Sequence, residues 1–486
     1  MIECFNNYQI KLLNCLVSDW RVNTHMQFKK DLLRVFSSNF INLLVGLITG
    51  FLVPAFLSLD DYAYLKTFTL YLSYVGILHF GFIDGIYIKY GGVYESDINK
   101  AKLKGEHKFL VLFQLAVTAI SAIIGIVIND VILIAFSIAI LPFNIQTLFK
   151  FLYQALGDFK IYSKIMILTP NILLVLNLFI IFVLKISNYW PFIIANIVTY
   201  YIVFIGLEIY FLMKYRGIKA EMDFSDLWSH FKIGSFIMVG NLSSMFFYAT
   251  DRWFVKFALT TKDFAFYSFA VSMIAIINTL INSITMTFYP YLARGQEKKT
   301  LANIKKFLLI IGTLATGGYF AFDFVVSTFL EKYTPSLDVI LVLFAGYPAM
   351  IIINALYVNL YKVNKQEKKY VFTVFIMLLI SLALNFVAVL YYKNNTSIAL
   401  ATTIAFYVWF FYSIKDFKYL KTNIKEIMYL VLFLVVFYSC GLYLNAILGF
   451  IVYYIAISLI SILIYKEEVK MLINIILRKN VKENLN

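Results

Sequence analysis

The sequence predicts an all-α, polytopic membrane protein of about fourteen transmembrane helices. Three observations carry this. The 486-residue chain is 62% hydrophobic and only 14% charged, with a mean hydropathy of +0.81. A soluble core cannot use that much apolar surface, but a bilayer takes it up at about 20 residues per span. The apolar runs divide the chain into fourteen stretches of spanning length. Lys and Arg then alternate across the connecting segments: those on the side of the N-terminus hold 35 of the 42 basic residues, the others 7. The boundaries follow hydrophobicity alone, so the charge split tests them independently. By the positive-inside rule both termini are expected in the cytoplasm.

In order, the expected spans are 35–57, 65–87, 109–128, 131–149, 165–184, 191–213, 233–250, 266–289, 307–328, 339–361, 370–391, 396–414, 427–444 and 447–465. The first is expected to act as insertion signal, because residues 1–34 lack a long apolar core followed by small residues. The stretch 8–20 reads either as an interfacial amphipathic helix or as an extension ahead of a start at Met26. The tail 466–480 is amphipathic and expected on the cytoplasmic membrane face. The longest internal links, 88–108 and 214–232, are each expected to carry a surface helix. No connecting segment is long enough for a soluble domain, so function is expected among the helices.

An internal repeat sets the domain organisation. VPAFLSLDDYAYLKTF (53–68) and VKFALTTKDFAFYSFA (255–270) align without a gap, Asp61-Tyr62-Ala63-Tyr64 on Asp263-Phe264-Ala265-Phe266. Both sit at an external turn and six helices separate them, so the two halves share an orientation, with a pseudo-two-fold along the membrane normal. The expected parts are an N-terminal segment 1–32, an N-lobe 33–216 and a C-lobe 217–423 of six helices each, two further helices in 424–465, and a tail 466–486. Such paired lobes suit alternating access around a site near the midplane.

Charges within spans are costly and usually face a cavity. Asp251 and Arg252 end the seventh span, with Lys256 one turn on. Arg252 and Lys256, at i and i+4, either point together at an anion while Asp251 pairs with another helix, or sit at the interface beside Trp253. Asp84 near the end of the second span reads as a gate or cation ligand, or as a helix-end carboxylate. His79, one and a half turns away, is expected not to meet it. Glu208 and Asp323 carry the same ambiguity. Amides recur in the apolar runs, among them Asn42, Asn177, Asn241, Asn278 and Asn282. They can bond sugar hydroxyls in a wet cavity or tie helices together.

Several classes are excluded. The formal charge of +15 follows from positive-inside patterning, so no nucleic-acid partner is expected. Cys4, Cys15 and Cys440 have no metal or disulfide spacing. No phosphate loop, dinucleotide fingerprint or catalytic constellation appears, so neither an enzyme, a cofactor nor a metal site is expected.

Three segments carry a family resemblance: LSLDDYAYLKTFTLYLSYVGILHFGFIDGIYIKYGG (57–92), TDRWFVKFALTTKDFAFYSFA (250–270) and SLALNFVAVLYYKNNTSIALATTIAFYVWF (381–410). With these the chain resembles polysaccharide flippases of the Wzx type, in the multidrug/oligosaccharidyl-lipid/polysaccharide (MOP) exporter superfamily, over most of 33–423. It departs from the pattern at Ala63 and Ala265, where glycine is usual in the first turn. The resemblance implies translocation of an undecaprenyl-diphosphate-linked oligosaccharide, such as an O-antigen or capsule unit, across the bacterial cytoplasmic membrane, coupled to an ion gradient. It implies membrane lipids as partners, and a polysaccharide polymerase and chain-length proteins as further ones. Arg252, Lys256 and Lys66 would hold the diphosphate, Asn241, Asn278 and Asn282 the sugars, and Asp84, Asp251 or Glu208 the coupling ion or a gate. The alternative is another exporter of this fold, for the lipid-linked peptidoglycan precursor or for small molecules.

Overall fold

The computed structural model describes residues 22–293 and 297–470, with side chains from 34 onward except at 36, 280–291 and 293. The described residues form helices and no strand: α1 (Val22–Phe56), α2 (Leu59–Ser73), α3 (Phe82–Tyr90), α4 (Lys100–Val127), α5 (Val131–Ala155), α6 (Phe159–Leu178), α7 (Tyr189–Lys214), α8 (Phe224–Ala258), α9 (Thr261–Ala293), α10 (Lys298–Thr316), α11 (Gly318–Phe329), α12 (Ser336–Phe344), α13 (Tyr347–Ile352), α14 (Val358–Val363), α15 (Glu367–Tyr391), α16 (Asn395–Ser413), α17 (Ile424–Tyr443) and α18 (Ala446–Ile464). Eleven helices are long and apolar enough to cross a membrane, and two bent pairs make thirteen. The eighth expected span lies on α9. Each apolar run thus lies on helix, as hydrocarbon demands of any backbone it surrounds. The protein is an all-α, multi-pass membrane protein. The expected helix at 8–20 and the tail beyond 470 lie outside the described residues.

The helices group into two compact units. The larger takes 34–279 and 368–398; the smaller takes, of the described residues, 22–33, 280–293, 297–367 and 399–470. The lobe boundary expected near 216 falls inside the larger unit, where α3 packs along α8.

The second span is broken rather than straight. A 3-10 turn, Val75–His79, follows α2, and α3 leaves at 61° to it. Phe80 (φ 50°) and Gly81 (φ 84°) both take the left-handed conformation that glycine tolerates best. Glycine is needed here a second time, for close approach. A Cβ on Gly81 or Gly234 would collide with the other's backbone, and one on Gly85 would collide with the His230 backbone. The three form a small-residue seam that brings α3 and α8 into backbone contact.

The surface helices expected in 88–108 and 214–232 are instead the first turns of α4 and α8. Asn99 caps α4 by accepting from Ala101 and Lys102, and Asp223 caps α8 by accepting from Ser225 and Asp226. Extending an existing helix avoids a second nucleation, which is the costly step. Lys102 joins the two extensions, 3.1 Å from Asp223 and 2.9 Å from Asp226. Its ammonium holds the Asp223 carboxyl below the usual range.

The repeated acidic turn is a capping device. The Asp61 N–H donates to Ser58 Oγ at 3.1 Å, and 202 residues on the Asp263 N–H donates to Thr260 Oγ1 at 3.2 Å. The preceding helices close alike, Leu57 N–H on the Val53 carbonyl and Leu259 N–H on the Val255 carbonyl. Each turn also holds the start of a later helix. Asp61 accepts from the Tyr189 N–H of α7, and the Asp263 carbonyl accepts from the Asn395 side chain of α16.

In the smaller unit the tenth span is bent by 47° between α12 and α13, with Pro348 in the first turn after the bend. Lys305 pairs with Glu426 at 2.6 Å, both nearly inaccessible, and fastens α17 to α10.

Gly234→Ala is expected to lower stability by about 1–3 kcal/mol, the usual cost of overpacking. Gly46→Ala, where a Cβ meets nothing within 4 Å, should leave it unchanged or slightly raised. Melting temperatures of the two purified variants in detergent check this; equal values would contradict the seam.

Candidate functional site in the membrane interior

Within the larger unit α1, α2, α6, α7 and α9 enclose a cavity of about 310 Å³. Lys66 projects into it from the second turn of α2. Its Nζ donates to Ser272 Oγ at 2.8 Å and stands 5.1 Å from the centre of the Tyr62 ring. The other polar groups are mainly acceptors. Asn42 Oδ1 and Asn177 Oδ1 are buried without a partner. The hydroxyls of Thr49, Thr69 and Ser272 donate back to their own helices, at Val45, Lys66 and Ser268, leaving lone pairs to the cavity. One cation among free acceptors fits a ligand that is anionic at one point and rich in hydroxyl donors elsewhere. The volume is at the small end for ligand pockets, so it suits part of a large ligand.

Two more cations lie on α8. Lys256 Nζ donates to Thr67 Oγ1 at 2.9 Å, between the rings of Tyr71 and Phe264. Arg252 Nε is buried without a hydrogen bond among the described residues. Aromatic rings frame this group: Trp253 donates to the Tyr74 hydroxyl at 2.7 Å and stacks on Tyr71, centroids 6.1 Å apart. Tyr71 in turn donates to Asp130 at 2.9 Å. None of Lys66, Arg252 and Lys256 forms an ion pair within 4 Å among the described residues; a hydroxyl and aromatic rings hold Lys66 and Lys256, while Asp251 adjoins Arg252 in the chain. A cation held within a span without an acid partner is costly; of the three, Lys66 lines the cavity.

The remaining candidates are dispersed. Asp251 is buried against α9, accepting from the Tyr267 hydroxyl at 2.7 Å and from the Arg252 N–H. Glu208 is 2.7 Å from His107 Nε2. Asp84 Oδ2 lies 3.9 Å from His79 Nδ1, against the expectation that they would not meet: the break at 80–81 ends the helical spacing on which that expectation rested. His79 Nδ1 already accepts from the Gly81 N–H, so the approach is not a hydrogen bond. Asn241 is exposed on α8, and Asn278 is half-buried outside the cavity lining. The Asn282 side chain lies outside the described residues. No group of three metal-ligating side chains occurs among the described residues.

A further polar cluster was not read from the sequence. Glu106, almost fully buried, sits 2.7 Å from Lys89 and 3.0 Å from His230 and accepts from the Tyr90 hydroxyl at 2.8 Å. It ties α3 and α4 to α8 just beyond the glycine seam. The legible signal was Gly81-x-x-x-Gly85 in an apolar run; nothing local announces its partner on α8.

The chain shares its fold with solved transporters. It matches the lipid II flippase MurJ in an inward closed conformation, with a TM-score of 0.68 and 13% identity over 90% of this chain and 99% of that one. It matches an inward-facing multidrug resistance MATE family transporter of the MOP superfamily at 0.59 and 13% identity, over 79% and 98% of the two chains. A MOP superfamily transporter from Pyrococcus furiosus gives 0.52 and 13%, over 81% and 97%. At such identities the likeness is one of fold. No protein-family model and no curated protein matches the sequence.

Glu106→Leu strands Lys89 and His230 and is expected to cost about 3–5 kcal/mol, as breaking a buried pair does. Glu221→Gln on the exposed linker should stay within about 0.5 kcal/mol. Thermal unfolding of both checks this; an unaffected Glu106→Leu protein would show the cluster to be idle.

Proposed function

We propose that this protein is a flippase that carries an undecaprenyl-diphosphate-linked oligosaccharide, a unit of a surface polysaccharide, from the inner to the outer leaflet of the bacterial cytoplasmic membrane by alternating access. The observation that carries the reading is the set of three cations, Lys66 in the lining of the cavity and Arg252 and Lys256 at the end of α8, none in an ion pair within 4 Å among the described residues. A diphosphate cannot cross hydrocarbon unless its charge is met by fixed cations. Arg252 suits it by bidentate donation, and the amide residues Asn42, Asn177 and Asn196 in the cavity lining suit a sugar's hydroxyls. The basic segments favour both termini in the cytoplasm, and the two lobes, 33–216 and 217–423, would be the halves that rock. Tyr267 and His107 already hold Asp251 and Glu208. Asp84, at the bend of the second span, is therefore the first acid to test for ion coupling. A polymerase and chain-length proteins would take the product.

A second reading is export of the lipid-linked peptidoglycan precursor, favoured by the likeness of fold to the lipid II flippase MurJ. It uses the same diphosphate chemistry with a different sugar-peptide.

The test is deletion in the source bacterium, with complementation by wild type and by Lys66→Met/Arg252→Met. Undecaprenyl-diphosphate lipids are measured by mass spectrometry and their outer-leaflet display by surface labelling. Loss of two charged contacts, about 1.5–3 kcal/mol each, should lower export at least tenfold while membrane levels stay normal. An accumulated surface-glycan lipid supports the first reading and a muramyl-peptide lipid the second. Sugar precursors without any lipid-linked product would overturn both, and wild-type export by the double variant would overturn the site.

A further inference from the structure

A second cavity of about 280 Å³ lies on the larger unit, in the furrow between α8 and α15. Its walls are Phe236 and Val239 on one side and Phe372 and Phe375 on the other, all left exposed, Phe372 by 62%. Its floor is closed, because Gly240 allows Val371 to within van der Waals reach and Ser244 bonds the Tyr370 hydroxyl at 3.1 Å. One charged group lines it, the exposed Lys368 in the first turn of α15. Lys232, also exposed, is one turn before Phe236 on the same face of α8, and Trp228, 70% exposed, one turn before that. An apolar furrow that ends in two lysines and an interfacial tryptophan is graded as a lipid is graded, chain first and phosphate last. Arg252 lies about two and a half turns beyond Ser243, on the opposite face of α8. The furrow therefore opens on the face of α8 opposite Arg252, where apolar side chains are left exposed.

We infer that this furrow is a binding site for an anionic phospholipid of the bilayer, with an acyl chain between Phe236, Val239, Phe372 and Phe375 and the phosphate on Lys368 and Lys232. The assignment stands independently of what the protein transports. A lipid seated there would bridge α8 and α15, so its loss would loosen that pair.

The test uses the full-length protein in nanodiscs containing a phosphatidylglycerol whose acyl chain carries a photoactivatable diazirine, with the labelled peptides mapped by mass spectrometry. Labelling should concentrate on 232–243 and 368–375. It should fall at least about fivefold in Lys232→Gln/Lys368→Gln, from the loss of two headgroup charges, and in Val239→Trp, which fills the furrow from an exposed position. Lys100→Gln/Lys160→Gln should label as wild type. Three results would overturn the inference: labelling unaffected by the two furrow variants, equal labelling by a phosphatidylcholine probe, or displacement of the probe by an equimolar polyprenyl phosphate, which would make the furrow a seat for a carrier-lipid tail.

Discussion

The backbone contact between α3 and α8 is the constraint on which the larger unit depends. It requires three residues without side chains, Gly81, Gly85 and Gly234, and a second span turned by 61° so that α3 can reach α8. The turn divides the labour of one membrane crossing. Its first half, α2, carries Lys66 into the cavity. Its second half seals against α8, and Glu106 holds Lys89, Tyr90 and His230 beyond the seal. A straight helix could not supply both surfaces, and a side chain at any of the three glycines would push the halves apart.

The disposition of cations follows from the same accounting. Lys89, Lys102 and Lys305 each meet a carboxylate at 3.1 Å or less, and each joins two helices. Their charge is consumed in the fold. Lys66 and Lys256 are held by hydroxyls and aromatic rings, which orient a cation without neutralising it, and Arg252 forms no ion pair within 4 Å among the described residues. Low dielectric makes an uncompensated charge expensive, and it makes the arrival of an anion correspondingly favourable. The difference between the two groups is geometric and would not be visible from residue type.

How much of this was legible in sequence varies with the range of the interaction. The fourteen helical runs were, because spanning length and basic alternation are properties of contiguous residues. The repeat at 53–68 and 255–270 was legible as similarity, and its role as paired capping boxes was recoverable from Ser58-Asp61 and Thr260-Asp263. The break at Phe80 was not, since no proline marks it and the left-handed Phe80 is a tertiary consequence. From that omission came the mistaken separation of His79 and Asp84. The surface helices assigned to 88–108 and 214–232 failed for another reason: a polar stretch next to a span extends it when Asn99 or Asp223 supplies the cap. The site mixed both cases. Arg252 stood out as a charge at the end of an apolar run and Lys66 came with the family resemblance, while Glu106 needed α4, α3 and α8 assembled before its partners existed.

The most direct test of the central claim, that the unpaired cations await a diphosphate, is a structure of the full-length protein bound to a polyprenyl-diphosphate glycan. The account predicts phosphate density within hydrogen-bonding distance, about 2.7–2.9 Å, of both Lys66 and Arg252, with the first sugar towards Asn42 and Asn177. Phosphate density elsewhere, with Lys66 still on Ser272 and Arg252 unengaged, would contradict it.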